Sequence, residues 1–118
     1  MQLLTQIIIA TIAALHIYFL VLEMFFWDKP LGMRVFSLSA ETAAASKTLA
    51  ANQGLYNGFL SAGLVYGLAL GKSGLLLTHF ILVCIVIAGL YGAYSVNRRI
   101  AYIQAMPAIV ALLLLQAN

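Results

Sequence analysis

Residues 3–26 form a long apolar run in which only His16 and Glu23 can carry charge near neutral pH. A hydrocarbon core of about 30 Å is crossed by roughly 20 apolar residues in a helix, and this run is long enough. It stops at Trp27-Asp28-Lys29-Pro30, an aromatic anchor followed by charges and a helix breaker. It does not read as a signal peptide. No basic segment precedes it, two ionisable residues interrupt it, and no small-residue cleavage site follows.

The rest of the chain is equally apolar. Of its 118 residues, 64% are hydrophobic and 8% charged, where a soluble domain is roughly half apolar and a quarter charged. The mean hydropathy is +1.05. Small soluble domains bury only about two-thirds of their surface and could not hide this composition. An ordinary soluble enzyme, a disordered tail and a nucleic-acid-binding domain are therefore excluded as expectations. The net charge of +3 comes from six basic and three acidic residues. The basic residues sit between apolar stretches and read as topology signals. Cys84 is the one cysteine, so no intrachain disulfide is possible and redox chemistry does not identify the compartment.

Four spans are expected, over about 3–26, 54–70, 75–94 and 100–115, packed as one all-α bundle in a single domain, residues 1–118. Gly71-Lys72-Ser73-Gly74 marks a tight turn. Pro107, inside the fourth span, should kink it or free a carbonyl near Ile103. The long connection, 27–53, is expected to be partly helical. Its second half is alanine-rich, with Ser39 able to cap it and Glu41 suited to the positive helix end. Lys29, Arg34, Lys47, Arg98 and Arg99 fall in the connections after spans one and three, against Lys72 on the opposite side. That bias places both termini outside and the 27–53 and 95–99 connections in the cytoplasm of a multi-pass cell-membrane protein.

An ionisable residue inside a membrane helix is a functional-site hypothesis by default. His16 and Glu23 are seven residues apart, so they share a helix face about 10 Å apart along the axis. That is too far to chelate one ion directly. The second span opens with Asn52, Gln53, Tyr56 and Asn57 within two turns, on roughly 140° of the helical wheel. Topology brings Glu23, these four residues, Tyr91, Tyr94, Asn97 and Gln104 to one depth. A polar pocket in the cytoplasmic half of the bundle is the expectation, with His16 deeper. The substrate-binding candidates are Glu23, His16, Asn52, Gln53, Tyr56, Asn57 and Tyr91. Glu23 and His16 are the catalytic candidates. Each also has a plain reading: Glu23 snorkelling to the interface, the amides bonding helices together, the tyrosines forming an interface belt.

Two stretches, His16-Ile-Tyr-Phe-Leu-Val-Leu-Glu23-Met-Phe-Phe-Trp27 and Leu49-Ala-Ala-Asn-Gln-Gly-Leu-Tyr-Asn-Gly-Phe59, resemble those of domain-of-unknown-function family 1304. The family comprises small bacterial and fungal membrane proteins, and the resemblance covers essentially the whole chain. It implies a four-helix integral membrane protein and no particular activity.

Three functions compete. The first is binding or transport of a small polar or cationic solute, with Glu23 the charge partner or proton carrier and His16 next along the path. A glutamate in the first span and the chain's size are similar to the small multidrug exporters, but their motifs are absent and the charge bias argues against dual insertion. A homodimer would be needed to enclose a path. The second is a membrane-embedded enzyme using Glu23 and His16 as acid and base on a lipid or other apolar substrate. The third is a structural or regulatory partner of another membrane protein, packing through Gly54-xxx-Gly58 and Gly63-xxx-Gly67. No cofactor or metal is expected. His16 and His79 would be offset by about 12 Å along the axis, too far to share a haem, and zinc would want three or four ligands. Lipids and an unknown small molecule are the expected partners, and nucleic acid is not.

Overall fold

The computed structural model describes every residue from Met1 to Asn118 and contains helices and turns only. α1 (Leu3–Phe25) is followed by the short α2 (Pro30–Val35) and the long α3 (Ala40–Ala69). A 3-10 turn over Gly71–Gly74 leads into α4 (Leu75–Ser95), and a π-helical turn over Ala101–Ala105 leads into α5 (Met106–Ala117). Two stretches, Leu3–Phe25 and Gly71–Ser95, are long and apolar enough to cross a membrane. Ala101–Ala117 is apolar but shorter. α3 is of a different kind, because its first half carries Glu41, Thr42, Ser46, Lys47, Thr48 and Asn52.

Local chemistry accounts for the boundaries. The Thr42 amide donates to Ser39 Oγ at 3.1 Å, so Ser39 caps α3 and satisfies one of its orphan donors. Glu41 lies in the first turn, next to the positive helix end. The alanine-rich stretch then runs without a break to Ala69, one helix of 30 residues. α2 begins with Pro30, whose fixed φ suits a first turn. It ends in a Schellman motif: Leu38 donates to the Met33 carbonyl at 2.8 Å and Ser37 to that of Arg34 at 3.4 Å. Ser37 holds the left-handed position usually given to glycine, with φ 55°. Gly71 takes the same conformation, φ +60°, at the turn after α3.

Pro107 is accommodated without a break in the middle of a helix. The chain winds Ala101–Ala105 as a π turn, which places Pro107 in the first turn of α5. The Met106 amide still reaches back to the Ala101 carbonyl through this wider turn, which takes up the disturbance a proline causes in regular α geometry.

The chain divides into two compact units. One comprises Met1–Ala13 and Ala62–Asn118. Its buried residues include Ile9, Leu64, Leu82, Ile85, Ala108 and Ala111. Close backbone approach organises it. A Cβ on Gly74 would collide with the Gly67 carbonyl, and one on Gly67 would collide with Thr78 Oγ1. Gly89 meets Ala105 in the same way. Asn118 donates to the buried Thr5 hydroxyl at 3.0 Å.

The other unit is Ala14–Ser61. Here the end of α1 and the Gly54–Ser61 stretch of α3 run antiparallel. Gly54 lets them close up, because a Cβ there would stand 2.7 Å from Met24 Cγ and 3.2 Å from the Leu20 carbonyl oxygen. Gly58 faces Leu20 Cδ1. The faces of Gly54/Gly58 and Gly63/Gly67 are thus occupied inside their own units, the second by Ile81 and Thr78. They are not left open for another protein.

Candidate functional site

The Ala14–Ser61 unit carries a column of buried polar side chains. Glu23 is 2% exposed, and His16, Asn57 and Ser61 are also buried. A glutamate at this depth needs hydrogen bonds, since a desolvated carboxylate without partners costs several kcal/mol. Asn57 supplies one: its Nδ2 donates to Glu23 Oε1 at 2.8 Å. Gln53, one turn earlier on α3, turns its amide toward the same carboxyl. Glu23 Oε2 is buried and has no hydrogen-bonding partner within the protein.

The backbone explains how Asn57 comes within reach. With glycine at 54, the Cβ of Glu23 lies only 3.1 Å from where a side chain at that position would begin. The two helices are held too close for anything larger. The carboxyl, leaning back along α1, then meets the amide leaning back along α3. In the register set by Gly54 and Gly58, Ser61 comes level with His16. Both make interactions within the fold, and the His16 ring stands edge-on to Phe19 at 5.8 Å.

The α1–α2 corner is pinned just beyond Glu23. Trp27 Nε1 donates to Ser46 Oγ at 3.0 Å, and that hydroxyl donates to the Thr42 carbonyl at 2.7 Å. Lys47 pairs with Asp28 at 3.0 Å. The Lys47 ammonium beside it, hydrogen-bonded to it, holds the Asp28 carboxyl below its ordinary range.

Of the residues singled out by sequence, Glu23, Asn57 and Gln53 come together, with His16 two turns earlier on the same α1 face. Asn52 is exposed and donates to the Thr48 carbonyl at 3.2 Å. Tyr56 is 61% exposed and packs on Phe59, with the rings 6.1 Å apart. Tyr91 is exposed on α4, in the other unit. The carboxyl's partners are amides. His79 bonds through Nδ1 with its own helix, at the Leu75 carbonyl, 2.8 Å away. Ser61 was not anticipated. Continuing the Asn57 face by one turn, four residues on, finds it.

Chemically, the column offers a carboxyl with one oxygen engaged and one open, an imidazole and a hydroxyl, all away from bulk solvent. Such a set can accept a proton or a single N–H donor at Oε2. A groove of about 270 Å³ in the other unit has a different character, being lined by Leu90, Ala101, Tyr102, Ala105, Met106, Ile109 and Val110.

Residues 10–116 match the family described as "Protein of unknown function (DUF1304)". The chain belongs to the DUF1304 family. It is 33% identical over 115 residues to "Uncharacterized protein YpaA" of Lactococcus lactis subsp. lactis (strain IL1403), an alignment covering 96% of this chain and 97% of that protein. No solved structure matches the chain. The DUF1304 match contains all four residues of the buried column, and neither description names an activity.

Proposed function

We propose that this DUF1304 protein is a four-span protein of the cell membrane that binds, and as a homodimer transports, a small polar or cationic solute at Glu23. The observation that carries the reading is the buried Glu23 carboxyl with Oε1 held by Asn57 and Oε2 unpartnered. A carboxyl fully committed to helix packing would have both oxygens satisfied. An open, desolvated acceptor suits an ammonium or guanidinium donor, or a proton exchanged for one. In this reading spans one and three are Leu3–Phe25 and the Gly71–Ser95 stretch, with the apolar half of α3 and Ala101–Ala117 as the second and fourth. The basic residues put both termini outside and the 27–53 and 95–99 connections in the cytoplasm. Reporter fusions placed after Lys72 should then be found outside the cell, and a cytoplasmic result would reverse the orientation.

The functional test is proton movement in sealed proteoliposomes on addition of small alkylammonium ions. Wild-type protein should move protons and Glu23→Gln should not. Equal traces from both proteins would end the transport reading.

A second reading keeps the same residues. His16 shares the α1 face of Glu23 and is buried with it, which supports an acid–base pair acting on a lipid inside the membrane. Lipid turnover in detergent, with no sealed compartment, would select it. The third reading, a packing partner for another membrane protein, loses support because both glycine faces are filled from within the chain.

A further inference from the structure

We infer that the corner formed by α2 is a seat for anionic phospholipid headgroups. The inference rests on the membrane-spanning reading but not on the solute site. α2 presents two unlike faces. Its inner side is committed: a Cβ on Gly32 would collide with the Phe26 carbonyl, and the Phe36 ring, just past the helix, lies 4.9 Å from that of Trp27. Its outer side holds Leu31, Arg34 and Val35, which share one face at helical spacing. Leu31 is 40% and Val35 43% exposed, and Arg34 is exposed beside them. Phe25 and Phe26 continue the exposed apolar surface at the end of α1.

Charge decides which surface fits. Lys47 is taken up by Asp28. Glu41 sits at the positive end of α3, which it complements. Lys29 and Arg34, both exposed, flank the two apolar side chains. Apolar side chains dipping into the acyl boundary with cations at headgroup level are the pattern of an interfacial helix. Its cations draw anionic lipid, about fivefold in local enrichment for each basic residue at the surface.

The single tryptophan lies in this corner, so its fluorescence reports on the lipids beside it. Full-length protein would be reconstituted in phosphatidylcholine vesicles containing phosphatidylglycerol. Brominated phosphatidylglycerol or brominated phosphatidylcholine would be supplied at the same mole fraction as quencher. Trp27 should be quenched several-fold more strongly by the brominated phosphatidylglycerol. The difference should shrink at high salt and in Lys29→Gln/Arg34→Gln, and persist in Lys72→Gln. Equal quenching by the two lipids in wild-type protein would overturn the inference. Quenching by neither would show that Trp27 is not at a bilayer at all, and would remove the membrane reading with it.

Discussion

Asn57 and Glu23, 34 residues apart, meet at 2.8 Å across two antiparallel helices, and the amide is the hydrogen-bond donor to a carboxyl buried from solvent. Removing one partner of such a pair costs more than replacing both.

Asn57→Ala should therefore destabilise the protein by about 1–3 kcal/mol, because Glu23 Oε1 loses its amide partner while staying buried. Glu23→Gln keeps an acceptor for the Asn57 amide and should unfold close to wild type. Glu23→Leu/Asn57→Leu should recover much of the loss seen in Asn57→Ala. Thermal unfolding in detergent measures all three, and an Asn57→Ala midpoint equal to wild type would contradict the account.

Gly54 and Gly58 should behave differently. Replacing a mid-helix glycine by alanine gains up to about 1 kcal/mol in helix propensity. At Gly54 the new methyl meets Met24 Cγ at 2.7 Å and the Leu20 carbonyl oxygen at 3.2 Å. Backbone cannot step aside cheaply, so Gly54→Ala should lose about 1–3 kcal/mol and disturb the Glu23 site. At Gly58 only the end of the Leu20 side chain is in the way, and Gly58→Ala should be near neutral. Unfolding midpoints of the two variants, compared directly, test the distinction.

The Asp28–Lys47 pair predicts an acid dependence. Lys47 lowers the Asp28 carboxyl below its ordinary 3.8. A lowered carboxyl stabilises the fold above the unfolded value and loses that contribution as pH falls through the folded one. Wild type should thus lose more stability below about pH 4 than Asp28→Asn does. The effect should be small, since both groups are reached by solvent, and weaker at high salt. Parallel acid titrations of the two proteins that superimpose would show the pair contributes nothing.

Much of the fold was legible along the chain because it is written locally. The Ser39 cap, the alanine-rich helix running on past Asn52, and the turn at Gly71–Gly74 all follow from residues close in sequence. α2 was not anticipated, since six residues between two connections carry too little periodicity to stand out. The π turn before Pro107 was read only as a kink or a free carbonyl, because a proline fixes where a helix is disturbed and not how the chain absorbs it. The candidate site divides in the same way. Glu23, His16 and Asn57 were visible as polar residues in apolar runs. Pairing Glu23 with an amide, leaving Asn52 and Tyr56 on the outside, and bringing Ser61 level with His16 all depend on the register of two helices. That register is set by Gly54 against Leu20 and Met24, a steric fit between residues far apart in sequence. Asn118 on Thr5 and Trp27 on Ser46 are likewise contacts that spacing along the chain does not encode.

The unpartnered side of the Glu23 carboxyl should hold a ligand. Native mass spectrometry of gently solubilised protein, wild type beside Glu23→Gln, tests it most directly. A small molecule or lipid should be bound to wild type and absent from Glu23→Gln, with its mass separating a solute from a lipid substrate. Two ligand-free proteins with the same subunit count would contradict it and leave the buried column as a means of joining helices.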